Sequence, residues 1–201
     1  GNPKFSRQMY QVARLLRSRQ QRGNERDVFF VQMGGFDTHK DGDGQQFASR
    51  MYDLNHGIEA FAKEMQAEGL WENVTLITAS DFGRTITSNG QGSDHGWGGN
   101  YFVAGGAVKG GQVLGQYPFD ITDSGPLNTG RGRIIPTTPF DALWRPVAAW
   151  MGVGESQMLD VLPNLPAFTE DAHLIRGDEL FQMPPSPPGA PPTPPSPPAP
   201  P

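Results

Sequence analysis

The chain has 201 residues, 36% of them apolar and 18% charged; 12 of its 20 prolines lie between Pro184 and Pro201. Residues 1–183 therefore read as a glycine-rich domain able to bury a core, and residues 184–201 as a tail of another kind. A formal charge of −5 argues against a dedicated nucleic-acid binder, no apolar run approaches the roughly 20 residues of a membrane span, and the absence of cysteine excludes disulfides and thiolate metal sites.

The first predicted element is a helix over about Lys4–Arg22, because Phe5, Met9, Val12, Leu15 and Leu16 recur at steps of three and four; Gly23 is its stop. The cluster Arg14, Arg17, Arg19 and Arg22 reads as the solvated face of that helix. Val28–Val31 is a short continuous apolar run, which predicts a strand buried on both faces. A second helix follows over about Gln45–Glu68, with Phe47, Met51, Leu54, Ile58, Phe61 and Met65 as an unbroken stripe and Gly69 as its cap. Val74–Thr78 is a second β-branched strand, expected to lie parallel to the first with the helix crossing between them.

Residues 90–111 are dense in glycine, and Tyr101–Ala104 reads as a third strand. Thr138, Pro139 and Asp141 predict a helix start with Thr138 as N-cap. That helix carries Leu143, Trp144, Val147 and Trp150, a kink at Pro146 and a stop at Gly152; a short helix over Ser156–Val161 follows. The alternation of helix and strand predicts an α/β fold with a mainly parallel sheet. In the tail, proline removes the amide donor and fixes φ, so Pro184–Pro201 should form a polyproline II rod. Such a rod of about 55 Å, at roughly 3.1 Å per residue, outruns its own domain and calls for another subunit, a second chain or a coat of glycans.

In a parallel α/β sheet ligands bind beyond the carboxyl ends of the strands. Asp37 and His39 follow the first predicted strand, Ser80 and Asp81 the second, and the glycine-dense loop adds Asp94 and His95. Carboxylate and imidazole donors suit a divalent ion, zinc first, with calcium or magnesium as alternatives. His56 and His173 lack clustered partners and read as ordinary hydrogen-bonded residues. Asn73-Val74-Thr75 is a glycosylation acceptor sequence, although it leads into a predicted strand.

Five ordered motifs carry a resemblance: Gly34-Gly35-Phe36-Asp37-Thr38-His39, Ser80-Asp81-Phe82-Gly83-Arg84-Thr85, Asp94-His95-Gly96-Trp97-Gly98, Gly105-Gly106-Ala107-Val108-Lys109-Gly110-Gly111, and Gly130-Arg131-Gly132-Arg133-Ile134-Ile135-Pro136-Thr137-Thr138. Together, over about Phe5 to Phe168, they resemble the C-terminal half of an uncharacterised, mostly bacterial exported family, the domain of unknown function numbered fifteen-oh-one, in the alkaline phosphatase and sulfatase superfamily. The resemblance implies a doubly wound α/β fold and one or two divalent metals held by Asp and His, serving phosphate or sulfate ester hydrolysis. On it, Asp37 and His39 look like the first ligand pair, Asp81 like the acid of the second strand end and His95 like the late histidine, with Asp94 behind them. Arg84 has two readings of equal weight, an anion contact and a structural ion pair.

Two departures qualify the resemblance. Alkaline phosphatases place a histidine where this chain has Phe82, and the superfamily takes its nucleophile from an early strand that this chain, beginning at Gly1, does not include; Ser80 reads as a turn hydroxyl. The expected function is therefore the metal-binding portion of an exported ester hydrolase. The alternative is an extracellular structural or assembly glycoprotein that keeps the fold. Its Ser-Pro-Pro repeats resemble those of plant and algal wall glycoproteins, which implies sugars on Ser186, Thr193 and Ser196 in addition to Asn73.

Overall fold

The computed structural model describes residues 3–168 and 174–182. The tail, with Ser186, Thr193 and Ser196, and likewise His173, lies outside the described residues.

Helix α1, Pro3–Arg17, forms on the expected stripe and buries Phe5, Met9 and Ala13. It is shorter than its pattern: the chain breaks at Ser18, whose hydroxyl donates to the Leu15 carbonyl at 3.1 Å, and resumes as α2, Arg19–Arg22. Gly23 closes α2 in the left-handed region at φ 68°, a conformation only glycine adopts without cost. Helix α3, Gln45–Ala67, packs on α1 with both running the same way, Phe5 against Gly57 and Arg17 paired with Glu64 and Glu68; at Gly57 the Phe5 ring occupies the space a side chain would fill. Phe61, Met65 and Leu70 join Phe5, Met9 and Ala13 in one core, with Val31, Met33, Val74 and Leu76 against it. The stripe on α3 is buried only in its C-terminal part; Phe47 is 50% and Met51 40% exposed.

The expected parallel pair does not form. Strand β1, Thr75–Ile77, pairs instead with β4, Val103–Gly105, and the pairing is antiparallel, with Leu76 opposite Ala104. Val28–Val31 is extended but joins no ladder: Phe29 and Val31 turn inward, while Val28 and Phe30 are 87% and 90% exposed. Its path is held by a side chain. The Gln8 amide of α1 accepts from the Gln32 backbone N–H at 3.2 Å and donates to the Gln32 carbonyl at 3.0 Å. The α/β composition thus stands, whereas the sheets among the described residues are two antiparallel pairs.

The second pair is not among the expected strands. Strands β2, Gly83–Ser88, and β3, Ser93–Gly96, form a hairpin with Arg84 opposite His95 and a bulge between Arg84 and Ser88. Its loop is Asn89–Gly92: the Asn89 N–H donates to the Gly92 carbonyl at 3.1 Å, the Asn89 side-chain oxygen accepts from the amides of Gln91 and Gly92, and Gly90 sits at φ 91°.

A second core gathers Val108, Ala142, Ile175, Leu180 and Phe181. Helix α4, Phe140–Trp150, starts one residue later than expected, with Pro139 at its N-cap and no side-chain cap. It runs through Pro146, which is buried, and ends before Gly152 at φ 91°. Trp150 stacks on Phe181 at 5.5 Å between ring centres. Helix α5, Met158–Val161, follows a 3-10 turn over Glu155–Gln157, close to the expected short helix, and α6 spans Gly177–Leu180. No helix among the described residues is long and apolar enough to cross a membrane.

Candidate metal centre

The loop after the extended segment carries Asp37 and His39, and its position is fixed from two sides. On one side is α3: Asp41 accepts from the amides of Gln46 and Phe47, both at 2.8 Å, placing a carboxylate at the positive end of that helix. Gln46 then donates back to the Gly35 carbonyl at 2.9 Å. On the other side is the hairpin: the Thr38 carbonyl accepts from Ser93 N–H at 3.3 Å, and the His39 carbonyl accepts from the Asn89 side chain at 3.2 Å. Thr38 is buried by this docking.

Directly paired residues of an antiparallel hairpin project to the same face, so Arg84 of β2 and His95 of β3 reach the loop together. Three donors converge there. His39 Nδ1 lies 2.5 Å and His95 Nε2 3.0 Å from Asp37 Oδ1, and all three groups offer ligand atoms within 4.8 Å of one another. The two imidazoles lie 4.9 Å apart, tilted by 41°. An ion at about 2.0–2.2 Å from nitrogen and oxygen donors would need only small side-chain adjustments here, so the donor set fits a divalent cation. All three side chains are about half exposed, leaving further coordination positions open to water or a ligand.

The charges around the centre are matched. Arg84 donates to Asp37 Oδ1 at 2.8 Å and to Ser93 Oγ at 3.1 Å, and also reaches the Ser93 carbonyl. Partial desolvation works to raise the Asp37 carboxyl, but hydrogen bonds from His95 and Arg84 and the neighbouring His39 outweigh it and hold Asp37 below the ordinary carboxylate range. Asp94 takes a hydrogen bond from Asn89 at 2.9 Å and an ion pair from Arg131 at 2.7 Å. The Asn89 hydrogen bond, with help from Arg131 and His39 against desolvation, lowers its carboxyl too.

Of the residues expected at the site, Asp37, His39 and His95 come together, and Asp94 stands behind them, Oδ1 3.9 Å from His39 Nε2. Asp81 is exposed and stands outside the triad; its charge is felt by Tyr101, whose hydroxyl is raised mainly by burial and further by Asp81. Arg84 makes the structural ion pair with Asp37 while remaining at the edge of the centre. Ser80 hydrogen-bonds the Phe82 backbone as a turn hydroxyl does, donating to its carbonyl at 2.9 Å. His56 bonds the Tyr52 carbonyl one turn back. Asn73 sits exposed in the 3-10 turn Trp71–Asn73, ahead of the strand.

Sequence reasoning missed Asn89 and Arg131. The β-branched run before Asn89-Gly90 carried a hairpin signal for the first. For Arg131 the sequence offered only its flanking glycines.

A mixed α/β chain with an Asp-His-His centre on a loop docked to a hairpin is the class that fold and site define. The chain belongs to the family described as Protein of unknown function (DUF1501), whose model matches residues 2–123. No curated protein and no solved structure matches it.

Proposed function

We propose that this chain is the metal-binding portion of an exported hydrolase of phosphate or sulfate esters, related to the alkaline phosphatases and sulfatases and to their largely parallel fold. One observation carries the reading: Asp37, His39 and His95 meet within 4.8 Å with the Arg84 guanidinium beside them. A divalent ion held there supplies Lewis acidity toward an ester oxygen. Around it, Asp37 contributes the negative charge that retains a cation, and the imidazoles contribute neutral donors. With Asp37 holding an ion, Arg84 beside it would present N–H groups of the geometry that phosphate and sulfate oxygens accept.

The test is direct. Zinc is added to the metal-stripped 201-residue chain, and its stoichiometry and the turnover of p-nitrophenyl phosphate and p-nitrophenyl sulfate are measured. One bound ion with zinc-dependent release of nitrophenolate supports the proposal; absence of stoichiometric binding refutes it. A second reading, a non-catalytic structural or assembly protein, is favoured by the engagement of the Ser80 hydroxyl within its own turn. Bound zinc with neither turnover of the esters nor binding of inorganic phosphate or sulfate to the zinc-loaded chain selects that reading.

A further inference from the structure

We infer that Arg131 is a positioning residue of the Asp37–His39–His95 centre: through Asp94 it fixes the orientation of His39, and with it the affinity of the site for its ion. The inference rests on the metal-binding reading above and adds a residue from beyond the stretch that the family model matches.

Arg131 has an unusual backbone. Among the described residues it is the non-glycine residue with positive φ, at 58°, between Gly130 at 102° and Gly132 at 71°. An L-residue with a long side chain is disfavoured in this region, and such strain persists where the surroundings over-determine it, often at functional sites. The surroundings here do so. The Asn128 side chain accepts from the amides of Gly130 at 2.8 Å and Gly132 at 3.2 Å. Thr129 N–H donates to the Arg133 carbonyl at 2.9 Å, and the Gly132 carbonyl accepts from Ile86 N–H of β2 at 2.9 Å. A Cβ on Gly132 would come within 2.5 Å of the Thr87 amide nitrogen, so this turn lies flush against the hairpin that carries His95.

The clamped turn aims one side chain. Arg131 Nη2 meets Asp94 Oδ2 at 2.7 Å while Asn89 holds Oδ1 at 2.9 Å. With both oxygens held, the carboxylate cannot rotate freely. Its Oδ1 faces Nε2 of His39, 3.9 Å away, and the other ring nitrogen, Nδ1, meets Asp37 at 2.5 Å. At 3.9 Å the carboxylate makes no hydrogen bond to that nitrogen but acts on it as a nearby negative charge, which favours the tautomer with the proton on Nε2 and the lone pair of Nδ1 toward the ion; loss of a hydrogen-bonded partner in this role typically weakens metal affinity about 10- to 100-fold, and the lower end of that range is expected here. The contacts run from Arg131 through Asp94 and His39 to Asp37. A glycine at position 131 would suit the backbone better, so the guanidinium is what the strained conformation serves.

The experiment uses the full chain with zinc and cobalt as probes. Wild type, Arg131→Gly, Arg131→Lys, Asp94→Asn, the Arg131→Gly/Asp94→Asn double variant, and Arg133→Gln as a turn control are compared by zinc titration, by the cobalt absorption spectrum and by Tm without metal. The expected result is about tenfold weaker zinc binding and an altered cobalt spectrum for Arg131→Gly, at an unchanged or raised Tm. Arg131→Lys should recover part of the affinity, the double variant should fall no further than the weaker single one, and Arg133→Gln should behave as wild type. Wild-type affinity and spectrum in Arg131→Gly overturn the inference, as does a fall in Tm that accounts for the weaker binding, or full additivity in the double variant. If His39→Ala and His95→Ala abolish zinc binding while Arg131→Gly does not alter it, this inference fails and the metal reading survives. If the folded wild type binds no zinc, both fail.

Discussion

Phe82 lies flat against His95, with ring centres 4.2 Å apart and planes 11° from parallel. Phe82 thus gives the triad a hydrocarbon wall that stacks on one of its two imidazoles. Its effect is to restrict the His95 ring to an orientation in which Nε2 meets Asp37.

Replacing Phe82 separates these two roles. Phe82→Ala should cost about 0.5–1.5 kcal/mol for the lost ring pair beyond its area burial and should weaken zinc binding by loosening His95. Phe82→His should restore a stacking ring and add a donor, raising the zinc stoichiometry measured by titration above that of wild type. Identical stoichiometry and affinity in all three proteins would count against the wall as a determinant of the site.

Metal loading should stabilise the chain. At free zinc about 100 times the dissociation constant, linkage gives about 2.7 kcal/mol, read as a rise in Tm that a chelator reverses. Asp37→Asn, His39→Ala and His95→Ala should each abolish the rise. Because its partners outweigh desolvation and hold Asp37 below the ordinary carboxylate range, it remains a charged donor well below neutrality, and Asp37→Asn should remove the rise at every pH from 6 to 8 (a chosen window of about two units around neutrality).

Gly57 tests the helix pair. Helix propensity alone favours Gly→Ala by about 1 kcal/mol. A Cβ at this position, however, would lie 2.7 Å from Cδ1 of Phe5, a ring that is 5% exposed and has nowhere to go. Overpacking costs about 1–3 kcal/mol, so Gly57→Ala should be destabilising in urea titration. Phe5→Leu in the same chain should recover part of the loss.

The loop after α2 supplies an acid-sensitive contact. Arg22 meets Asp27 at 2.5 Å, and its hydrogen bond, followed by that of Asn24, lowers the Asp27 carboxyl. A lowered carboxyl stabilises the fold above its unfolded-state pKa, near 3.9, and the contribution is lost as pH falls through the lower folded value. Asp27→Asn should therefore lower Tm at pH 7, and the gap from wild type should narrow steadily as pH is taken down through the acid range. A gap that persisted in acid would show that Asp27 acts through shape and not through charge.

Much of the helical framework was legible because it needs only local information. Phe5, Met9, Phe61 and Met65 recur at helical spacing and are the residues that α1 and α3 bury against each other. Glycines 23, 69 and 152 sit where left-handed caps were expected. Strands depend on what lies beside them, and here the reading failed. Val28–Val31 has the composition of a two-sided strand, yet its neighbour is a glutamine side chain, and β1 takes β4 on an antiparallel register. Arg84-Thr85-Ile86-Thr87 has strand composition, but nothing local names Ser93–Gly96 as its partner. The donors of the centre were legible from their residue types in loops after strand-like runs, Asp37 and His39 two residues apart and His95 in the glycine-dense stretch, whereas the hairpin that carries His95 to the other two was not. Asp81 looked equivalent in sequence, but it lies exposed in the short connection between β1, which ends at Ile77, and β2, which begins at Gly83, and stands outside the triad.

The Gln8 clasp on Gln32 has a mechanical consequence. One primary amide on α1 grips both backbone groups of a residue five positions before Asp37, so the helix and the first ligand share a mooring. A shift of α1 along its axis would be transmitted through a few residues of extended chain, at about 3.3 Å per residue, to the carboxylate that faces the ion. The amide proton of Gln32 is thus a gauge of the centre placed well away from it. Its exchange with solvent should quicken in Gln8→Ala, and the same change should slacken the grip on zinc, although no atom of Gln8 is among the donors.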